Sequence, residues 1–232
     1  LEFSLHISDG ICRVLKKGNN MAKVSLKPGT MLNPLPAVMV SCSDGEVDNV
    51  LTIAWTGIIN SDPPITYVSV RKSRFSHQLI EKSGEFVINL VNEELVRSAD
   101  YCGVRSGRNE DKFEKCNLTK LASDHVKVPM IKESPMNLEC KVMEIKEYPT
   151  HDMFIAEIVA VHADEELFDE DNRIRLDLAR MVTYNHGEYF GIKRKSIGRF
   201  GFSVMKKSTK KRINREAKEK RQKRNEGKRR KG

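Results

Sequence analysis

Three cations stand within four residues in the stretch VSVRKSRFSHQLIEKSGEF: Arg71, Lys72 and Arg74. An alternating segment with Val68 and Val70 runs into them, and a helical pattern starts at once. A helix N-terminus already carries positive partial charge, so cations placed there are unfavourable on their own. A bound anion resolves the conflict. Unpaired backbone N–H groups, the Ser73 and Ser76 hydroxyls and the nearby guanidinium groups would together make a phosphate site. A solvated basic turn is the alternative, and these residues alone do not choose between the two.

Trp55 is the only tryptophan, and on general grounds it belongs to the core. Its neighbours Thr52, Thr56 and the backbone around Gly57 nevertheless offer free hydrogen-bonding capacity. A planar heteroaromatic ligand with a phosphate would use both features. It needs an apolar or aromatic wall, donors along one edge and an anion site at the far end. The familiar catalytic signatures are absent: there is no GxGxxG run, no GKS/T loop and no HExxH pair. The run GVRSG, residues 103–107, is not a nucleophile elbow, because its serine is misplaced and it leads from helix to loop. His77, His151 and His186 are scattered, as satisfied surface or core histidines usually are. No catalytic side chain and no metal ligand set are expected. The five cysteines, Cys12, Cys42, Cys102, Cys116 and Cys140, have no CxxC spacing, and reduced thiols in a cytoplasmic protein are the simplest account.

The elements that must position these residues read mostly as strands. Residues 35–43 are β-branched and apolar, and turn chemistry follows. Residues 49–59 read as a strand running into an irregular stretch, and residues 61–64, with two prolines, as a loop. Residues 65–70 are the next strand, and residues 75–84 a short helix that Gly84 stops. Glu85–Leu90 is a strand. Residues 92–103 read as a helix capped by Asn92 and ended by Gly103, with a polar loop and a short helical turn behind it. Residues 137–148 and 151–168 are long alternating strands spaced to pair as a hairpin, and residues 181–192 hold a further extended segment. The βαβ alternation of a parallel sheet is missing. The expected fold class is mainly β, an antiparallel barrel or sandwich with peripheral helices.

The 232 residues are 39% hydrophobic and 31% charged, the composition of a globular chain. The net charge of +9 is unevenly spread: residues 206–232 hold 15 Lys/Arg against 3 Asp/Glu, a net of +12, which leaves −3 for the remainder. That tail has no apolar stripe and is expected to be disordered or a marginal helix. Solvation accounts for it, and binding to RNA, DNA or an acidic partner is the sharper alternative. No apolar run is long enough to span a bilayer, and no secretory signal pattern occurs. A credible start, MAKVSLKPGT, stands at Met21, so residues 1–20 are expected to be an expression leader, upstream read-through or a mobile arm. The folded domain is expected over residues 21–205.

Five segments carry a resemblance in order: TIAWTGIINSDPP, VSVRKSRFSHQLIEKSGEFVINL, ADYCGVRSGRNEDKFE, THDMFIAEI and NHGEYF. Together they resemble the flavin reductase-like family of FMN-binding split barrels, within it the flavoredoxin-type branch. The resemblance covers residues 34–204. It implies a six-stranded antiparallel Greek-key split β-barrel, a homodimer, and FMN near the dimer interface. By carry-over, Arg71, Lys72 and Arg74 meet the FMN phosphate, with Val70, Ser76 and His77 close by. Residues 49–57 match the flavin-wrapping strand: Asn49, Thr52, Ile53, Ala54, Trp55, Thr56 and Gly57, with Thr52, Ala54, Trp55 and Thr56 on the isoalloxazine and ribityl groups. Cys102, Gly103, Ser106 and Gly107 match a loop near the pocket, and His151 and His186 segments near the ring. The implied activity is flavin reduction or electron transfer, with a nicotinamide nucleotide or a reduced redox protein as donor.

Overall fold

The computed structural model describes residue 23, residues 25–193, residues 195–213 and residue 215. The expected leader, residues 1–20, and the tail beyond residue 215 lie outside the described residues. The chain divides into two compact units, the first ending at Ile192 and the second starting at Lys193.

In the first unit the strands β1 (Leu35–Pro36), β2 (Val38–Ser43) and β3 (Asp48–Ile53) come first. β2 is buried along its whole length, so both of its faces are covered and its apolar residues need not alternate with polar ones. β4 (Thr56–Ser61) and β5 (Pro64–Arg71) form a hairpin, and the helix α1 (Phe75–Ser83) follows. Gly84 ends α1 as expected, at a left-handed φ of 68°, with its N–H bonded to the Ile80 carbonyl. The strand β6 (Glu85–Leu90) and the helices α2 (Val96–Val104) and α3 (Lys112–Lys115) come next. Two short strands, β7 (Lys120–Leu121) and β8 (Met130–Ile131), precede the long hairpin of β9 (Met136–Glu147) and β10 (His151–Ala163). A last hairpin joins β11 (Val182–Asn185) to β12 (Glu188–Gly191).

The main sheet has seven strands in the order β3-β2-β6-β9-β10-β5-β4, each antiparallel to its neighbour. The sheet is curled. Leu51 and Ile53 of the edge strand β3 share one core with Val68 and Val70 of β5, near the other edge, and Phe86, Phe154 and the α1 residues Leu79 and Ile80 fill it. A flat sheet could not bring β3 and β5 together. On the outer side of β2 and β3, Met39 and Val50 pack against Leu95, Ala99, Cys102 and Phe113, which docks α2 and α3 there.

Four local expectations need correction. The segment 49–59 is two strands at opposite edges of the sheet, divided at Ala54 and Trp55, so the six expected strands become seven. The Trp55 carbonyl accepts from Ser69 N–H, which turns the chain from its pairing with β2 to its pairing with β5. Residues 61–64 are a tight turn rather than a loop, since Pro64 opposes Ser61 as the first residue of β5, where a missing N–H is tolerated. The helix expected from residue 92 starts at Val96, because Asn92 Oδ1 caps the preceding turn through Leu95 N–H; it runs past Gly103 to Val104. β10 stops at Ala163, and a single 3-10 turn at Glu165–Leu167 takes the place of its expected end.

In the second unit a 3-10 turn spans Phe202–Val204 and residues 207–213 are helical. The boundary expected at residue 205 falls inside this unit.

Candidate functional site

A cleft of about 530 Å³ opens beside the N-terminus of α1, within the range of about 300–1,000 Å³ typical of ligand pockets. Three parts of the chain build it. β3 supplies Asn49 and Leu51; the end of β5 and the start of α1 supply Arg71, Ser73, Arg74, Phe75 and Ser76; the end of α2 and the segment to α3 supply Val104, Arg105, Ser106, Gly107 and Lys112.

The α1 end of the cleft is strongly positive. No acidic residue stands in the first turn of α1, and the N-cap residue Arg74 makes no side-chain cap. Burial and then the Arg71 charge both oppose the charge of Arg74, which lowers its pKa. Alternation along β5 turns Val68 and Val70 into the core and leaves Arg71 on the outer face with Ser69 and Tyr67. An anion between Arg71 and Arg74 would relieve both their repulsion and the uncapped helix end.

The floor is polar and tightly packed. Buried Asn49 donates through Nδ2 to Ser76 Oγ at 2.8 Å. Gly107 lies against Asn49, and a Cβ there would stand 2.1 Å from Asn49 Oδ1. Lys112, only 2% exposed, donates to the Val50 carbonyl at 2.7 Å and the Cys102 carbonyl at 2.9 Å. Two of its three donors are thus taken by backbone, and burial pushes its pKa down. Lys112 and Arg105 were hidden in what reads as a polar loop. The one local signal is Asp111, which caps α3 through the N–H groups of Phe113 and Glu114 and so presents Lys112 at the helix start. Arg108 closes the side of the loop, lying 5.3 Å over the Phe75 ring and donating to the Ser73 carbonyl.

Of the residues expected at the site, Asn49, Arg71, Arg74, Ser76, Ser106 and Gly107 line this cleft. Trp55 and His151 stand beside it as a pair. Trp55 is 39% exposed, contrary to the core placement expected of a lone tryptophan, because the turn between β3 and β4 carries it outward. Its ring lies 4.7 Å from that of His151, which sits opposite Arg71 in the sheet. Burial and the Arg71 charge lower the His151 pKa.

The other expected residues have different contacts. Lys72 turns away from the cleft: its Nζ is 3.1 Å from Glu147 and 3.0 Å from Asp152 Oδ1, the latter a contact of charges without hydrogen-bond geometry. His77 is buried and donates to Asp152 at 2.7 Å. Burial opposes ionisation of Asp152, but His77 and Lys72 outweigh it and hold the carboxyl below its usual range. Ile53 and Val70 belong to the core. The Thr52 hydroxyl donates to the Ala99 carbonyl and the Thr56 hydroxyl to the Tyr67 carbonyl. Ala54 precedes Trp55 in the turn, and Gly57 packs against the Tyr67 ring. Cys102 is buried beside Cys116, and Gly103 makes room for Thr52. His186 occupies the exposed β11–β12 turn at a left-handed φ of 51°.

Asp124, Glu139 and His162 cluster elsewhere with donor atoms within 4.8 Å of one another. Glu139 is fully buried and already accepts from the N–H groups of Asp124, His125 and Val126 and from His162, so it locks a loop to β9. Among the described residues, no helix is long and apolar enough to cross a membrane.

A curled antiparallel sheet with a basic cleft at a helix N-terminus defines a class of barrel, and comparison places it. The model of the flavin reductase like domain matches residues 30–193, and the chain belongs to that family. The flavoredoxin of Desulfovibrio vulgaris (Miyazaki F) superposes with a TM-score of 0.73 and 32% identity, covering 78% of this chain and all of its own. An FMN-binding protein from Thermus thermophilus shares the fold at a TM-score of 0.65 and 23% identity, over 78% of this chain and all of its own. An uncharacterized protein of Archaeoglobus fulgidus is 39% identical over 134 residues, 57% of this chain and 75% of its own length. The fold is the split barrel of this family.

Proposed function

We propose that the protein is a flavoprotein that holds FMN in this cleft and works in flavin reduction or electron transfer. The observation that carries the reading is the pair Arg71 and Arg74 at an uncapped helix N-terminus, facing the cleft. Similarity to a flavoredoxin and to an FMN-binding protein supports it. Arg71, Arg74, Ser73 and Ser76 would hold the phosphate. Asn49, fixed by Ser76, and the Lys112 ammonium would meet polar edges of the ligand from the floor. The Trp55–His151 pair would border its planar part. Thr52 and Thr56, whose hydroxyls donate to backbone carbonyls, hold that border in place. When bound, FMN supplies hydride and single-electron chemistry, and the protein supplies position and electrostatics. No side chain is assigned as nucleophile or general base.

The electron donor is a nicotinamide nucleotide or a reduced redox protein, and the working state is a homodimer. The edge strand β4 supports the latter, since it leaves Ile58 and Ile59 exposed beside an unpaired backbone. Purified protein should show flavin absorbance bands, or quench FMN fluorescence when the apoprotein is titrated to one FMN per chain. Anaerobic mixing with NADH, NADPH and a reduced ferredoxin-type protein should bleach those bands with one donor. A colourless protein that leaves FMN fluorescence untouched would sink the reading.

A further inference from the structure

Cys102 in α2 and Cys116 just after α3 point at each other, with their Sγ atoms 3.8 Å apart. The four cysteines among the described residues are free thiols. A disulfide bond is about 2 Å long, so these sulfurs must close by about 2 Å. Cys102 is fully buried, whereas Cys116 is half-buried and reachable from solvent. Burial pushes both thiols up, Cys102 to about 12, and the charge of Lys112, which also donates to the Cys102 carbonyl, opposes that rise at both sulfurs.

The two cysteines are 14 positions apart, and the chain between them has a special content. It contains Val104, Arg105, Ser106, Gly107 and Lys112, the whole wall that α2, α3 and their connection give to the cleft. A bond between the sulfurs would close that wall into a ring.

We propose that Cys102 and Cys116 form a reversible disulfide that cross-links α2 to the end of α3 and fixes the cleft wall between them. The oxidant is a small-molecule disulfide of the glutathione class. The Cys116 thiolate attacks one sulfur of that disulfide, forming a mixed disulfide and releasing one small thiolate. The Cys102 thiolate then attacks the Cys116 sulfur and displaces the second small thiolate. Two electrons pass from the cysteine sulfurs to the small disulfide, and the two cysteine protons end on the released thiols. Excess small thiol runs both steps backwards.

The test uses full-length protein equilibrated with oxidised or reduced glutathione, alkylated and mapped by mass spectrometry without reduction. The expected result is a linked Cys102–Cys116 peptide in the oxidised sample, lost again on treatment with thiol. Trypsin should then cut at the exposed Arg105 and Arg108 on the order of tenfold more slowly in the oxidised form, read on reducing gels. Cys116→Ser should abolish both effects, and its position at a half-buried site lets it fold where a change at buried Cys102 could fail. Separate alkylation of both thiols in oxidised, natively folded protein would overturn the proposal. So would a linked peptide with no change in cleavage. The expected consequence for flavin, tighter FMN binding by a preorganised wall, rests on the reading of the cleft as the flavin site. FMN affinity that is measurable but equal in the two states would overturn that coupling. Absence of FMN binding in both states would instead count against the flavin reading, because peptide map and cleavage rate decide the disulfide without ligand.

Discussion

Replacing Arg74 and Arg71 by alanine should separate FMN from riboflavin, which lacks the phosphate. Arg74 is half-buried, and burial and Arg71 already oppose its charge, so its interaction with an anion is little screened by water. A charge-assisted hydrogen bond contributes about 1.5–3 kcal/mol, and every 1.4 kcal/mol is about tenfold in affinity. Arg74→Ala should therefore weaken FMN by about tenfold to a hundredfold. Arg71 is exposed and more screened, so Arg71→Ala belongs at the lower end of that range. Riboflavin affinity should change by less than about threefold in either variant, on the scale of surface substitutions. Lys72→Ala is the internal control, because Lys72 is engaged by Glu147 and Asp152 and should leave FMN affinity nearly unchanged. Fluorescence titrations of the apoprotein with both flavins, at one fixed ionic strength, read all of these quantities. Equal losses for the two flavins would refute the phosphate assignment. A Lys72→Ala loss as large as that of Arg74→Ala would refute the orientation of the cations.

Gly107→Ala should drive a methyl into Asn49 Oδ1, and overpacking of this kind costs about 1–3 kcal/mol, so both the melting temperature and flavin affinity should fall. Glu139→Gln should lower the melting temperature at neutral pH, because the loop N–H groups lose a carboxylate. Burial alone would raise the Glu139 pKa, but those N–H groups and His162 outweigh it and hold it below its ordinary value. The stabilisation is therefore present above the unfolded-state pKa and lost as pH falls through the folded one, so the gap to the parent should narrow in acid, as scanning calorimetry at several pH values can check. Deleting residues 206–232 removes +12 of charge and little apolar surface; the barrel should keep its melting temperature and its flavin, while any nucleic-acid binding at low salt should vanish. Loss of flavin on truncation would contradict the division of roles.

Much of the fold is legible in order along the chain. The alternation at Thr66, Val68 and Val70, the stop at Gly84 and the long pair around residues 147–151 are local signals, and local physics writes them: side-chain period, left-handed backbone and short connections. The cluster Arg71, Lys72 and Arg74 also raises the question of a bound anion without any knowledge of the fold, because its conflict with a helix N-terminus is local, although a solvated basic turn answers it equally at that level. The chain alone could not say which of the three faces the cleft. That depended on Asp152 and Glu147, distant in sequence, which β9 and β10 bring beside Lys72. The division of residues 49–59 is a tertiary decision too, since its two halves pair with strands at opposite ends of the sheet. Trp55 reads as core by type and stands half-exposed by that division. Lys112 shows the limit most plainly. In sequence it is one lysine in a polar stretch; in the fold two backbone carbonyls and the walls of the cleft surround it, and only long-range packing could bury that charge there.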